Sequence, residues 1–89
     1  MSLSIERVYT MKKYPIHFNN IEEVTDFVRI VNQFDCDVDI RKGSVVIDAK
    51  SFLGVMTISG SSDLELVIHD NEPADLISSV SEYIATKTA

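Results

Sequence analysis

Apolar side chains recur in this chain with two different periods, and the order of those periods leaves few folds open. Tyr14, Ile16 and Phe18 alternate with Lys13, Pro15 and His17, the period-two signature of a strand with one buried face. Pro15 cannot donate to a strand ladder, which places this strand at an edge. Ile21, Val24, Phe27, Val28 and Val31 then fall three and four apart, on one face of a helix expected to end near Gln33. Asn20 stands where an N-cap belongs, Glu23 follows at capping-box spacing, and Glu22 and Glu23 suit the positive end of the helix dipole. Period two returns in Cys36, Val38 and Ile40 against Asp37, Asp39 and Arg41. Lys42-Gly43 supplies a turn, and Val45, Ile47 and Ala49 resume the inward face, so the segment reads as a hairpin.

Ser51 stands directly before a short apolar run, Phe52-Leu53-Gly54-Val55-Met56. A serine there is a good N-cap, because its oxygen accepts one of the N–H groups that a first helical turn leaves free. The same end attracts anions, so a phosphate on Ser51 would sit in a favourable field. After a loop, Gly60-Ser61-Ser62-Asp63, Leu64, Leu66 and Ile68 alternate with Glu65, Val67 and His69. Asp70-Asn71-Glu72-Pro73 opens a last helix in which Ala74, Ile77, Val80, Tyr83 and Ile84 share a face. The order is β-α-β-β-α-β-α. One solution buries every stripe at once: an α+β domain with three helices on one face of a four-stranded antiparallel sheet. Residues 1–11 lack a clear period and read as an N-terminal arm, leaving 12–89 as the domain.

Composition narrows the functions. Fourteen acidic residues against eight basic ones give a formal charge of −6, which a nucleic-acid backbone or an anionic membrane would repel. No apolar run approaches the roughly 20 residues of a membrane span, and the first residues lack a signal-peptide pattern. Cys36 is the single cysteine, which excludes an internal disulfide and argues against a cysteine zinc site. A cytoplasmic protein is the simplest expectation. Asp35, Asp37 and Asp39 form a solvated row without the loop a calcium site needs, and no metal or cofactor is expected.

Asp35-Cys36-Asp37-Val38-Asp39-Ile40, the hairpin, and Lys50-Ser51-Phe52-Leu53-Gly54-Val55-Met56 together resemble HPr, the small phosphocarrier of the bacterial sugar phosphotransferase system. The likeness spans roughly residues 12–86 and is strongest from 34 to 56. It implies the open-faced β-sandwich of that family and makes Ser51 the counterpart of its regulatory serine. It also implies that Phe52, Leu53 and Met56 form an apolar patch that meets partner proteins.

The family's carrier histidine belongs in Gly-Ile/Leu-His-x-Arg-Pro, at the start of the first helix. Counting back from Asp35 puts Asn20 at the histidine, Glu22 at the arginine and Glu23 at the proline. An amide is not a nucleophile for phosphorus, and two carboxylates repel a phosphoryl group that an arginine would hold. The chain is thus similar to the branch that lacks the histidine yet keeps the serine, and which acts in carbon-catabolite control beside a LacI-type regulator. It departs from that branch at Glu22, where a partner-contacting arginine is expected. The resemblance implies a non-catalytic regulatory or adaptor protein, modified at Ser51 by an HPr-kinase-like enzyme and docking on a regulator or a phosphotransferase component. Two alternatives stand beside it: a phosphocarrier that uses His17, which otherwise reads as an outward strand residue, and an interaction domain without phosphorylation. His69, at the end of an outward strand face, reads as solvated.

Overall fold

The computed structural model describes the backbone of residues 11–85 and the side chains from Lys13 onward. Of the arm assigned to residues 1–11, all but Met11 lies outside the described residues; Met11 opens the first strand. The elements are β1 (Met11–Ile16), α1 (Ile21–Val31), β2 (Asp37–Lys42), β3 (Val45–Asp48), α2 (Phe52–Ile58), β4 (Leu64–His69) and α3 (Ala74–Ser79), followed by a 3₁₀ turn, Ser81–Tyr83. The strands form one antiparallel sheet in the order β1-β4-β2-β3. Tyr14, Ile16, Val38, Ile40, Leu64, Leu66 and Ile68 all meet the helices on one face. The element order and the three-helix layer expected from the periodicity are those observed.

Each helix start follows from its cap. The Asn20 side chain accepts the Glu23 N–H at 2.9 Å. The Glu23 carboxylate reaches one residue further back than a capping box requires, accepting the Asn19 N–H at 2.9 Å and the Asn19 amide at 3.3 Å. Helix α1 stops at Val31, two residues before Gln33: Gln33 and Phe34 donate to the Ile30 and Val31 carbonyls in tighter bonds at 3.0 and 3.2 Å, while the Asn32 amide donates back to the Val28 carbonyl at 2.8 Å. Val24, Phe27, Val28 and Val31 are buried as expected, but Ile21 is exposed at the first turn.

Further side chains depart from the periodic reading. Val45 is 49% exposed, as the first residue of β3, an edge strand, next to the Lys42-Gly43 turn. Val67 does point away from the helices, yet it is buried outside the main core. It lies mid-sheet between Lys13 and Asp39, whose side chains can cover a small residue on a central strand. The last helix is shorter than its stripe: α3 ends at Ser79, where Val80 leaves helical backbone geometry. Ile84 instead forms a β-bridge with Ile16. The buried residues there are Pro73, Leu76, Val80 and Tyr83, whereas Ala74 is exposed. Serines at 78, 79 and 81 are weak helix formers, so the packing of Tyr83 decides the path.

Tyr83 joins Phe18 and Phe27 in an aromatic trio. Phe27 meets Phe18 edge-on at 5.1 Å and Tyr83 edge-on at 5.9 Å. Burial pushes the Tyr83 phenol up to about 12, with a hydrogen bond to Glu82 and the charges of Glu82, Asp26 and Glu23 acting the same way. The folded value lies above the ordinary 10.0. Its stabilising contribution is therefore complete below that pH and is lost as the pH rises toward 12. Urea midpoints should accordingly fall between pH 10 and 12, and Tyr83→Phe should flatten that fall. An equally steep fall in Tyr83→Phe would assign it to other groups.

Candidate functional site

Two regions carry the residues singled out by sequence. The first is the start of α1. Asn20 and Glu23 are both engaged in capping it, and Glu22 is exposed beside them. His17 is exposed, but it lies just beyond β1 rather than within it, its backbone N–H donating to the Tyr83 carbonyl at 2.9 Å. Its imidazole makes no hydrogen bond to a described residue. The α1 entrance thus carries two carboxylates, one of them seated on the helix N-terminus.

The second region is the start of α2. Asp48 makes a tight turn: its carboxylate accepts the Lys50 N–H at 2.9 Å and its carbonyl accepts the Ser51 N–H at 3.0 Å. Asn32, past the end of α1, donates to the Lys50 carbonyl at 3.0 Å. Ser51 emerges exposed as the N-cap, with Oγ accepting the Gly54 N–H at 3.2 Å. Gly54 lets α2 lie close on the sheet, since a Cβ there would stand 2.8 Å from a methyl of Ile47. Lys50 is engaged at the same entrance. Its ammonium donates to the Phe34 carbonyl at 2.6 Å, fastening the α2 entrance to the end of α1.

Seven residues of helix cannot bury all their apolar groups. Val55 is fully buried, and Phe52 and Ile58 pack partly against the core. Leu53 is 73% exposed and Met56 42%. An exposed hydroxyl and two exposed apolar side chains therefore share the outer side of one short helix.

One further contact was not legible in the sequence. His69 is not simply solvated: its Nε2 lies 2.8 Å from Asp39 Oδ2, across the face of the sheet away from the helices. The pair sits in a shallow depression with Asp35, Cys36, Asp37, Asp48 and Asp70. Burial raises the Cys36 thiol pKa and Asp70 adds to the effect, against a partial offset from Lys50. A thiol so placed is a poor nucleophile. Among the described residues no group of side chains is arranged to hold a metal ion, and no helix is long and apolar enough to cross a membrane.

The family model for the HPr component of the phosphotransferase system, described by its phosphorylation site, matches residues 22–86. The chain belongs to the HPr family. The matched span contains Ser51 but starts beyond His17 and Asn20. Among solved structures, the phosphocarrier protein HPr from Bacillus anthracis is similar at 21% identity with a TM-score of 0.66, covering 86% of this chain and 98% of that one. The Bacillus subtilis catabolite-repression protein Crh, described as a swapped, intertwined dimer, is similar at 18% identity with a TM-score of 0.59, covering 97% and 99%. At such identities these two likenesses establish the HPr fold and no more. No curated protein sequence matches the chain.

Proposed function

We propose that this HPr-family protein is a cytoplasmic regulatory or adaptor protein, not an enzyme and not a histidine phosphocarrier. Its input is phosphorylation of Ser51 by an HPr-kinase-like enzyme, and it docks on a transcriptional regulator or a phosphotransferase component through Leu53, Met56 and the edge of Phe52. The observation that carries this reading is the exposed Ser51 hydroxyl on the same short helix as Leu53, the most exposed large apolar side chain among the described residues. Apolar surface displayed in this way in an otherwise acidic molecule is the usual mark of an interaction site. A phosphate at Ser51 would change the charge beside it by about −1.5 to −2. Such a change would alter docking without touching the core.

The carrier site is degenerate. Asn20 has no nucleophilic nitrogen, its oxygen is taken by the cap, and Glu22 and Glu23 oppose a phosphoryl group. The test exposes the protein separately to enzyme I with phosphoenolpyruvate and to HPr kinase with ATP. Phosphate on Ser51 from the second reaction and none from the first supports the reading. Acid-labile phosphate that disappears in His17→Ala would promote the carrier instead.

Docking has its own test. Leu53→Asp should leave the circular dichroism and urea midpoint nearly unchanged, because an exposed side chain buries little on folding. It should weaken a partner held on α2 by about tenfold or more, the scale of an interface anchor. Equal affinity of wild type and Leu53→Asp for such a partner would move the docking site away from α2.

A further inference from the structure

The two edges of the sheet are treated differently. At the β1 edge, Pro15 has no N–H to offer, and residues 83–85 cover the strand. Tyr83 O accepts the His17 N–H at 2.9 Å, Ala85 N donates to Pro15 O at 2.8 Å, and Ile84 bridges Ile16. At the β3 edge, no described strand pairs. This edge is short, four residues, and carries Asp48, but it has none of the lysine, proline or bulge that also blunt exposed strands. Instead it presents Val45 and Val46, 49% and 56% exposed.

The register fixes what this edge offers. Ala49 donates to Val38 at 2.8 Å, and β2–β3 pairing runs Asp39–Asp48, Ile40–Ile47, Arg41–Val46, Lys42–Val45. Hydrogen-bonded and non-bonded pairs alternate in an antiparallel ladder. Residues 45, 47 and 49 therefore bond to β2, and the N–H groups of Val46 and Asp48 point out of the sheet. The side chains of Val46 and Asp48 share the face away from the helices, where Asp48 stands directly across from Asp39. Asp35, Asp37 and Asp70 line the same depression, and His69 is its only group among the described residues able to carry positive charge.

We propose that the β3 edge receives an extended, basic segment of a partner protein as a fifth strand. A β-branched or other apolar residue of that segment would stand beside Val46, with a lysine or arginine beside Asp48. Main-chain bonds to the N–H groups of Val46 and Asp48 and to the Val46 carbonyl would hold the segment. The charge of the depression selects it, because a cation placed beside Asp48 relieves the like-charge pair that Asp48 makes with Asp39. A second copy of this chain fits less well, since each copy carries a formal charge of −6 and the matching strand offers no cation opposite Asp48. The surface adjoins Ser51 through the Asp48 turn, but it does not use the Ser51 hydroxyl or the Leu53 and Met56 side chains, and the proposal stands whether or not those are used.

The test titrates the isotopically labelled protein with the capped hexapeptide Thr-Lys-Thr-Val-Thr-Val, and with the same peptide carrying glutamate for lysine. The lysine peptide should shift the amide resonances of Val46 and Asp48 and slow their hydrogen exchange, leaving those of Val45 and Ile47 comparatively unchanged. The glutamate peptide should bind about fivefold more weakly at low salt. Asp48→Asn keeps an acceptor for the Lys50 N–H and should shrink the difference between the peptides, leaving what the other carboxylates of the depression supply. No response of Val46 and Asp48 at millimolar peptide, equal binding of the two peptides to the wild type, or self-association through β3 without peptide binding would each overturn the proposal.

Discussion

Phe27→Ala is expected to cost about 3–5 kcal/mol of folding stability, the range for truncating a fully buried aromatic. Phe27 is fully buried and touches both Phe18 and Tyr83 edge-on. It ties α1 to the chain leaving β1 and to the 3₁₀ turn that closes the structure. Each edge-on contact adds about 0.5–1.5 kcal/mol beyond area burial. A single small domain commonly holds only about 5–15 kcal/mol in total, so this variant should show a far lower urea midpoint and a measurable unfolded fraction without denaturant. Phe52→Ala, at a partly exposed position on α2, should cost distinctly less. Similar losses in the two variants would mean that the aromatic trio is not the centre of the core.

Ser51→Ala should abolish labelling by HPr kinase and ATP while costing only about 1 kcal/mol, the worth of one N-cap hydrogen bond. Of the hydroxyls near the hairpin, Ser51 is the one that both opens a helix and stands exposed beside Leu53. Ser51→Asp should fold with nearly wild-type stability, since aspartate also caps. The Lys50 ammonium, held by the Phe34 carbonyl at 2.6 Å, keeps its charge and two further donors beside the α2 entrance. Undiminished labelling of Ser51→Ala, with phosphate on Ser44 or another hydroxyl, would reduce Ser51 to a structural cap.

The strands and helices were legible because a one-sided sheet and amphipathic helices print their burial directly into periods of two and about 3.6 residues. The caps were legible for the same local reason: Asn20 and Ser51 act on N–H groups three residues away. What escaped depends on neighbours distant in sequence. Val45 follows the strand alternation, but its exposure is set by the place of β3 at the sheet edge. Val67 reads as outward, and its burial comes from the strands on either side of it. The Lys50–Phe34 and His69–Asp39 contacts join residues 16 and 30 positions apart, so no local pattern announces them. The last helix was overextended because Tyr83 and Ile84 continue a helical stripe while packing from a 3₁₀ turn and a β-bridge. At the candidate site, the residue types at 20, 22, 23 and 51 were plain from sequence. The engagement of Asn20 and Glu23 in the α1 cap, and the split of α2 into a buried Val55 and an exposed Leu53, required the fold.

The most direct test of a regulatory rather than phosphoryl-carrying role is site-resolved mass spectrometry after parallel reactions with the two phosphoryl donors, under conditions that preserve phosphohistidine. Phosphate confined to Ser51 after HPr kinase with ATP, and none after enzyme I with phosphoenolpyruvate, is the expected result. Phosphate on His17 after the enzyme I reaction, at a stoichiometry near that of an HPr phosphocarrier run alongside, would contradict it.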